Sequence, residues 1–140
     1  MTNNIEELIC FKLYACAKEI TRKYEPYLKR YDLTYTQYIV ILALYEYKKI
    51  SIKDLGMKMF LDSGTLSPLL KKLEDKGLII REKNSNDDRV FLFSLSDKGI
   101  CKYNETKDIH KQVGACLNLS KDDKNYLMNE VNCLLANVEK

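Results

Sequence analysis

The 140-residue chain has no tryptophan, two prolines, five glycines and a single histidine, His110. So few helix breakers favour helices joined by short connections. No run of about 18 apolar residues occurs, so no membrane partner is expected. The start, Met1-Thr2-Asn3-Asn4-Ile5-Glu6-Glu7, lacks a basic stretch followed by an apolar one and does not read as a signal peptide. The five cysteines, Cys10, Cys16, Cys101, Cys116 and Cys133, include no Cys-x-x-Cys pair. With one histidine beside them they suit no structural zinc site, and no metal or cofactor is expected. Without a secretion signal they point to a reducing, cytoplasmic setting. Their default role is that of small buried hydrophobes. The excess of one sign of charge is also small. The net charge is +3, and residues 62–89 carry as many acidic as basic side chains. A nucleic-acid surface must therefore come from arrangement rather than from excess charge.

What is present is helical periodicity. Ile5, Leu8, Ile9, Leu13, Cys16, Ala17, Ile20, Tyr24, Tyr27 and Leu28 form one broad stripe, which predicts a helix to about Arg30 with Pro26 kinking it or ending its regular part. Thr34-Tyr35-Thr36-Gln37 matches a capping box and predicts a helix to about Tyr47 that buries Tyr38, Ile41, Leu42 and Tyr45. Ser51 offers the next N-cap, for a short helix ending near Met59. A turn at Phe60–Ser63 leads to a longer helix with Leu66, Leu69, Leu70 and Leu73 inward and Gly77 at its C-terminal cap. Pro68, inside that helix, reads as a tolerated bend.

The period then changes. Leu78–Lys83 and Val90–Leu95 read as two strands around a turn at Asn84–Asp88. One helix from about Ser96 to Cys116 and another from Ser120 complete the chain. The last carries a narrow stripe of Leu127, Val131, Leu134, Leu135 and Val138. Such stripes are too narrow to bury themselves, which predicts packing against a second copy.

Two helices joined by a short turn and followed by a ribbon make a winged helix-turn-helix. The fold class expected is mainly α with a small β-hairpin. It forms a single domain, with the winged unit at about residues 34–100 and dimerisation helices at 1–33 and 101–140. The second helix of the pair fits a major groove and the ribbon reaches a neighbouring minor groove, so the partner expected is double-stranded DNA. With the leucines inward, Ser63, Thr65, Ser67, Pro68, Lys71 and Lys72 face out. Small hydroxyls approach base edges and lysines reach phosphates. Arg89 at the hairpin tip is the candidate minor-groove or phosphate contact. The plainer readings are a solvated amphipathic helix and a surface ion pair of Arg89 with Asp87 or Asp88.

Asp87-Asp88-Arg89 followed by Leu95-Ser96-Asp97-Lys98-Gly99 resembles the wing signature of the multiple-antibiotic-resistance regulator (MarR) family. The stretch Leu61-Asp62-Ser63-Gly64-Thr65-Leu66-Ser67-Pro68-Leu69-Leu70-Lys71-Lys72-Leu73-Glu74 is similar to the recognition helix of its organic-hydroperoxide-resistance branch (OhrR, SarZ, MgrA). Ile9-Cys10-Phe11-Lys12-Leu13-Tyr14 and Leu33-Thr34-Tyr35-Thr36-Gln37-Tyr38 resemble that branch too, with Thr36 standing where proline is usual. The resemblance covers roughly residues 5–100 and is weak beyond.

It implies a homodimeric repressor, not an enzyme, that binds a pseudo-palindromic operator and releases it when a thiol is oxidised by an organic hydroperoxide. It implies Cys10 as the sensing thiol, with Tyr24 and Tyr35 as its hydrogen-bond donors and Tyr14 nearby. It also implies a second thiol near the position of Cys116 that forms a disulfide with the other subunit's sensor. The residues agree in part. Cys10, Tyr14, Ala17 and Tyr24 share one helical face, and phenolic donors stabilise a thiolate. Tyr24 lies about 21 Å from Cys10 along one helix, so it should reach the thiol from the other subunit, with Tyr35 beside it. Cys16, Cys101 and Cys133 read as packing residues and His110 as exposed. The alternatives are a repressor released by a small aromatic ligand among the eight tyrosines from Tyr14 to Tyr47, a thiol peroxidase, and a protein-interaction module.

Overall fold

A computed structural model of the chain describes residues 4–139. Residues 1–3 and 140 lie outside the described residues. With them go the first residues of the signal-peptide reading and the outer ends of both expected dimerisation segments. The chain divides into two compact units at Ile109/His110.

The first unit opens with a single 3-10 turn, Ile5–Glu7, and α1, Ile9–Leu28. α1 runs through Pro26, and regular helix ends two residues later in a 3-10 turn at Lys29–Tyr31. Only its C-terminal end enters the core, where Tyr24 and Leu28 are buried. The stripe read along its whole length is exposed from Ile5 to Tyr14.

α2, Tyr35–Tyr47, begins at the expected capping box. Gln37 N–H donates to Thr34 Oγ1 at 3.2 Å, and Thr34 N–H donates to Gln37 Oε1 at 3.1 Å. α2 is the centre of the core, with Tyr38, Val40, Ile41, Ala43 and Leu44 buried. Being apolar on all sides it has no single stripe, which is why Val40, Ala43 and Leu44 escaped the pattern. Leu42 is half-buried. The expected burial of Tyr45 is corrected: it is 36% exposed and stacks on Tyr103 with ring centroids 3.7 Å apart.

α3, Ile52–Met59, and α4, Ser63–Asp75, follow. The ribbon is β2, Ile79–Asn84, and β3, Asp87–Leu95. β3 starts three residues earlier than the sequence suggested. A third strand, β1 at Ile50–Ser51, pairs antiparallel with β3, making the sheet order β1-β3-β2. Two residues are too few to leave a period-2 signal.

The expected single helix from Ser96 is two, α5, Asp97–Thr106, and α6, Ile109–Cys116. The Thr106 hydroxyl donates to the Lys102 carbonyl at 2.7 Å, a bond that bends helices. In the second unit, α7, Lys121–Val138, is capped by Ser120, which accepts from Asp123 N–H at 3.0 Å. Leu127, Leu134, Leu135 and Val138 of its stripe are exposed. Among the described residues no helix is long and apolar enough to cross a membrane.

Candidate DNA-reading surface and thiol site

α3 and α4 form the helix-turn-helix. α3 ends at Phe60 in the left-handed region, φ 56°, and the Leu61 N–H turns back onto the Gly56 carbonyl at 3.0 Å. A β-carbon on Gly56 would lie 2.7 Å from the Leu61 carbonyl oxygen, so the corner needs glycine there. Asp62 then caps α4, accepting from Thr65 N–H at 2.7 Å.

Leu66, Leu69, Leu70 and Leu73 are buried beneath α4. At about 100° per residue they centre opposite the arc holding Ser63, Thr65, Ser67, Pro68, Lys71 and Lys72. All six of these are exposed, and the helix continues through Pro68. Lys71 is engaged within its own helix, 3.0 Å from the Asp75 carboxylate and 3.8 Å from Glu74. The hydrogen bond to Asp75, then the charges of Asp75 and Glu74, hold its ammonium above the ordinary lysine value.

The wing has an irregular register. Asn84 pairs with Asp87 but Lys83 pairs with Phe91, so one step on β2 spans four on β3. Asp88, Arg89 and Val90 are the surplus, and such bulges redirect side chains away from a sheet. Arg89 is 90% exposed at this point. Its Nε and Nη2 donate to the Asp87 carboxylate at 3.1 and 3.4 Å, and its N–H donates to Asp87 Oδ1 at 3.0 Å. The ion pair weighed from sequence is present, with Asp87. It lowers the Asp87 pKa through the Arg89 side chain first and the Arg89 backbone second.

Between α4 and the wing lies a cleft of about 390 Å³, bordered by Ser67, Lys71, Arg81 and Arg89 over Phe91 and Phe93. Arg81 went unnoticed in the sequence. Its guanidinium lies 4.7 Å from the Phe91 ring centroid and 3.6 Å from Glu74. The alternation of β2, which places Ile79, Arg81 and Lys83 on one face, is the signal for it.

The thiol residues divide. Tyr24 and Tyr35 come together within one chain, with ring centroids 4.8 Å apart, and both contact Tyr38. Burial, then the charge of Tyr35, raises the Tyr24 phenol above 10.0, and burial raises Tyr35. Both hydroxyls are therefore protonated and able to donate at neutral pH. Cys10 and Tyr14 are exposed near the other end of α1. Tyr24 follows Cys10 by fourteen positions along one helix, about 21 Å of rise. Cys116, in α6, is exposed and directs its Sγ at the Gln112 carbonyl, 3.5 Å away. Cys16, Cys101 and Cys133 are exposed rather than packed, a correction to the expectation. His110 is exposed, as expected. Of the eight tyrosines from Tyr14 to Tyr47, Tyr24, Tyr35 and Tyr38 contact one another and Tyr45 stacks on Tyr103.

A capped helix-turn-helix with an exposed hydroxyl and lysine face, flanked by a ribbon that presents arginine, defines a winged-helix DNA-binding protein. The sequence matches the family described as "Transcriptional regulator SarA/Rot" over residues 22–106, and the chain belongs to that family. It is 45% identical over 134 residues to the transcriptional regulator SarZ of Staphylococcus saprophyticus, covering 93% of this chain and 92% of that one. Reduced AbfR bound to DNA superposes with a TM-score of 0.75 at 30% identity, covering 94% and 92% of the two chains. A mutant MarR from E. coli complexed with operator DNA has the same fold, with a TM-score of 0.81 at 23% identity over 96% and 99%. The chain is a MarR-like, DNA-binding transcriptional regulator and not an enzyme.

Proposed function

We propose that this regulator is a cytoplasmic homodimeric repressor of a pseudo-palindromic operator, and that oxidation of Cys10 by an organic hydroperoxide releases it. The observation that carries the reading is the location of Cys10. It lies on an exposed helix among uncovered apolar side chains, Ile9, Leu13 and Tyr14, while the donors suited to its thiolate, Tyr24 and Tyr35, form a pair at the far end of the same helix. An antiparallel pairing of α1 with its copy places each thiol beside the other chain's tyrosines. It also covers a face that a single chain leaves to solvent. The exposed stripe of α7 supports the same assembly.

The chemistry is short. The Cys10 thiolate attacks one peroxide oxygen and the O–O bond breaks. The other oxygen leaves as an alkoxide that takes up a proton, giving the alcohol and a sulfenic acid on Cys10. If Cys116 then attacks, a disulfide forms and water leaves. Either product puts polar or covalent bulk where helices meet. A shift of the two recognition helices out of groove register forfeits contacts of about 1–3 kcal/mol each, enough for release. AbfR, seen bound to DNA in both reduced and overoxidised forms, supports oxidation chemistry in a related regulator.

The test is intact-mass spectrometry after one equivalent of an organic hydroperoxide, with duplex binding and light scattering in parallel. Expected are a dimer, a single added oxygen on Cys10, loss of binding, and a Cys10→Ser variant that binds but ignores peroxide. A monomer at micromolar concentration, or equal loss of DNA by both proteins, overturns the reading.

A further inference from the structure

Lys76 is the C-terminal cap of α4, and its side chain reaches the corner between α1 and α2. Its Nζ donates to the Asp32 carbonyl and to Gln37 Oε1, the latter at 3.4 Å, and lies 3.4 Å from the Asp32 carboxylate. Asp32 occupies the left-handed region, φ 54°, where the chain turns into α2. Gln37 is 5% exposed, and the same Oε1 closes the α2 capping box by accepting from Thr34 N–H. One ammonium thus grips three oxygens of a corner that lies 39 to 44 residues away in sequence.

The chain at this point is also held from the opposite side. Lys98 Nζ donates to the Lys76 carbonyl at 2.9 Å, and the Ser96 hydroxyl donates to the Gly77 carbonyl at 2.6 Å. Residues 76 and 77 are therefore the joint where the α1–α2 corner, the end of the recognition helix and the start of α5 meet. Tyr35, which packs on Tyr24, lies inside the capping box that Lys76 grips.

We propose that Lys76 is a positioning residue that sets the seating of α4 against the α1–α2 corner and so determines how well the helix reads base edges, without itself touching DNA. With its ammonium committed to three protein oxygens it is not a free phosphate ligand, unlike the exposed Lys72. The inference rests on the DNA-reading face described above and adds a residue outside it.

The test uses the full-length chain, a duplex selected by that chain from a random library, and a shuffled duplex of the same length. Lys76→Met should weaken the selected duplex about tenfold, the loss of roughly one base contact. It should leave the shuffled duplex and the slope of affinity against salt unchanged, because no phosphate contact is lost. Lys76→Arg should restore most of the preference. Asp32→Asn, which tolerates the left-handed backbone and keeps the carbonyl, should act in the same direction but less, and should serve if Lys76→Met folds poorly. Hydrogen exchange without DNA should be faster in the last turn of α4 in Lys76→Met. A salt slope reduced by about one, with equal losses on both duplexes, makes Lys76 a phosphate contact and overturns the proposal. Unchanged exchange and unchanged preference overturn it as well. A wild-type chain that prefers neither duplex refutes base reading itself, while the exchange measurement still decides the seating of α4.

Discussion

The Tyr24 and Tyr35 rings lie 4.8 Å apart at 54°, one from the end of α1 and the other from the start of α2. Their contact closes the corner between the two helices and leaves two phenols of raised pKa side by side. Removing either hydroxyl should change chemistry more than fold. Tyr24→Phe and Tyr35→Phe are expected to retain DNA binding and to slow the oxidation of Cys10, read by the rates of thiol alkylation and of sulfenic acid formation. Unchanged rates in both variants would show that the tyrosines do not serve the thiol. The raised values also have a sign for stability. An unfolded phenol ionises near 10.0, before the folded one, so the contribution is complete below about pH 10 and lost as pH rises through the folded values. Alkaline unfolding should begin in that range and be blunted in Tyr24→Phe.

The two lysines of the recognition helix should behave differently. Lys72→Ala is expected to reduce the salt slope of binding by about one unit. Lys71 must first leave Asp75, 3.0 Å away. Asp75→Asn should therefore raise affinity for every duplex and steepen the salt dependence, whereas Lys71→Ala should weaken all of them. Thr65→Ala and Ser67→Ala should shift base preference instead. Titrations of each variant from low to moderate salt decide the matter; an unchanged slope in both lysine variants removes the phosphate role.

Asp87 aims Arg89. Because the carboxylate pKa is lowered by that partner, the pair forms above the ordinary value of 3.8 and is lost as pH falls through the lower folded value. Arg89→Ala should reduce affinity without lowering the melting temperature. Asp87→Asn should reduce affinity less, since the guanidinium remains but loses its orientation. A large fall in melting temperature with DNA binding intact would make Arg89 a structural residue.

Gly99 explains part of the Leu95-Ser96-Asp97-Lys98-Gly99 motif. A β-carbon there would lie 2.0 Å from the Leu78 carbonyl oxygen, because the Ser96 N–H bonds that same carbonyl at 3.0 Å and holds the start of α5 against it. Gly99→Ala should destabilise the domain by about 1–3 kcal/mol, the usual result of forcing a backbone shift in a packed site. Calorimetry checks this, and a melting temperature equal to wild type would mean that the contact is slack.

Local signals determined most of the architecture. Thr34 with Gln37, Ser51 and Ser120 are caps whose chemistry acts within three residues, so they are legible in one dimension and mark where α2, α3 and α7 begin. The leucine spacing of α4 likewise determined its outward face, because a helix converts spacing directly into direction. Tertiary structure alone decided the rest. Whether Tyr45 was buried depended on Tyr103 from α5, and the two-residue β1 exists only because β3 lies beside it. The register step that thrusts Arg89 outward is a property of two paired strands, not of either one. The meeting of Tyr24 with Tyr35, and of Lys76 with Asp32 and Gln37, is set by how helices pack at a corner. Contacts between residues distant in sequence leave no period or cap in the chain, and they appear only once the core around α2 has brought those helices together.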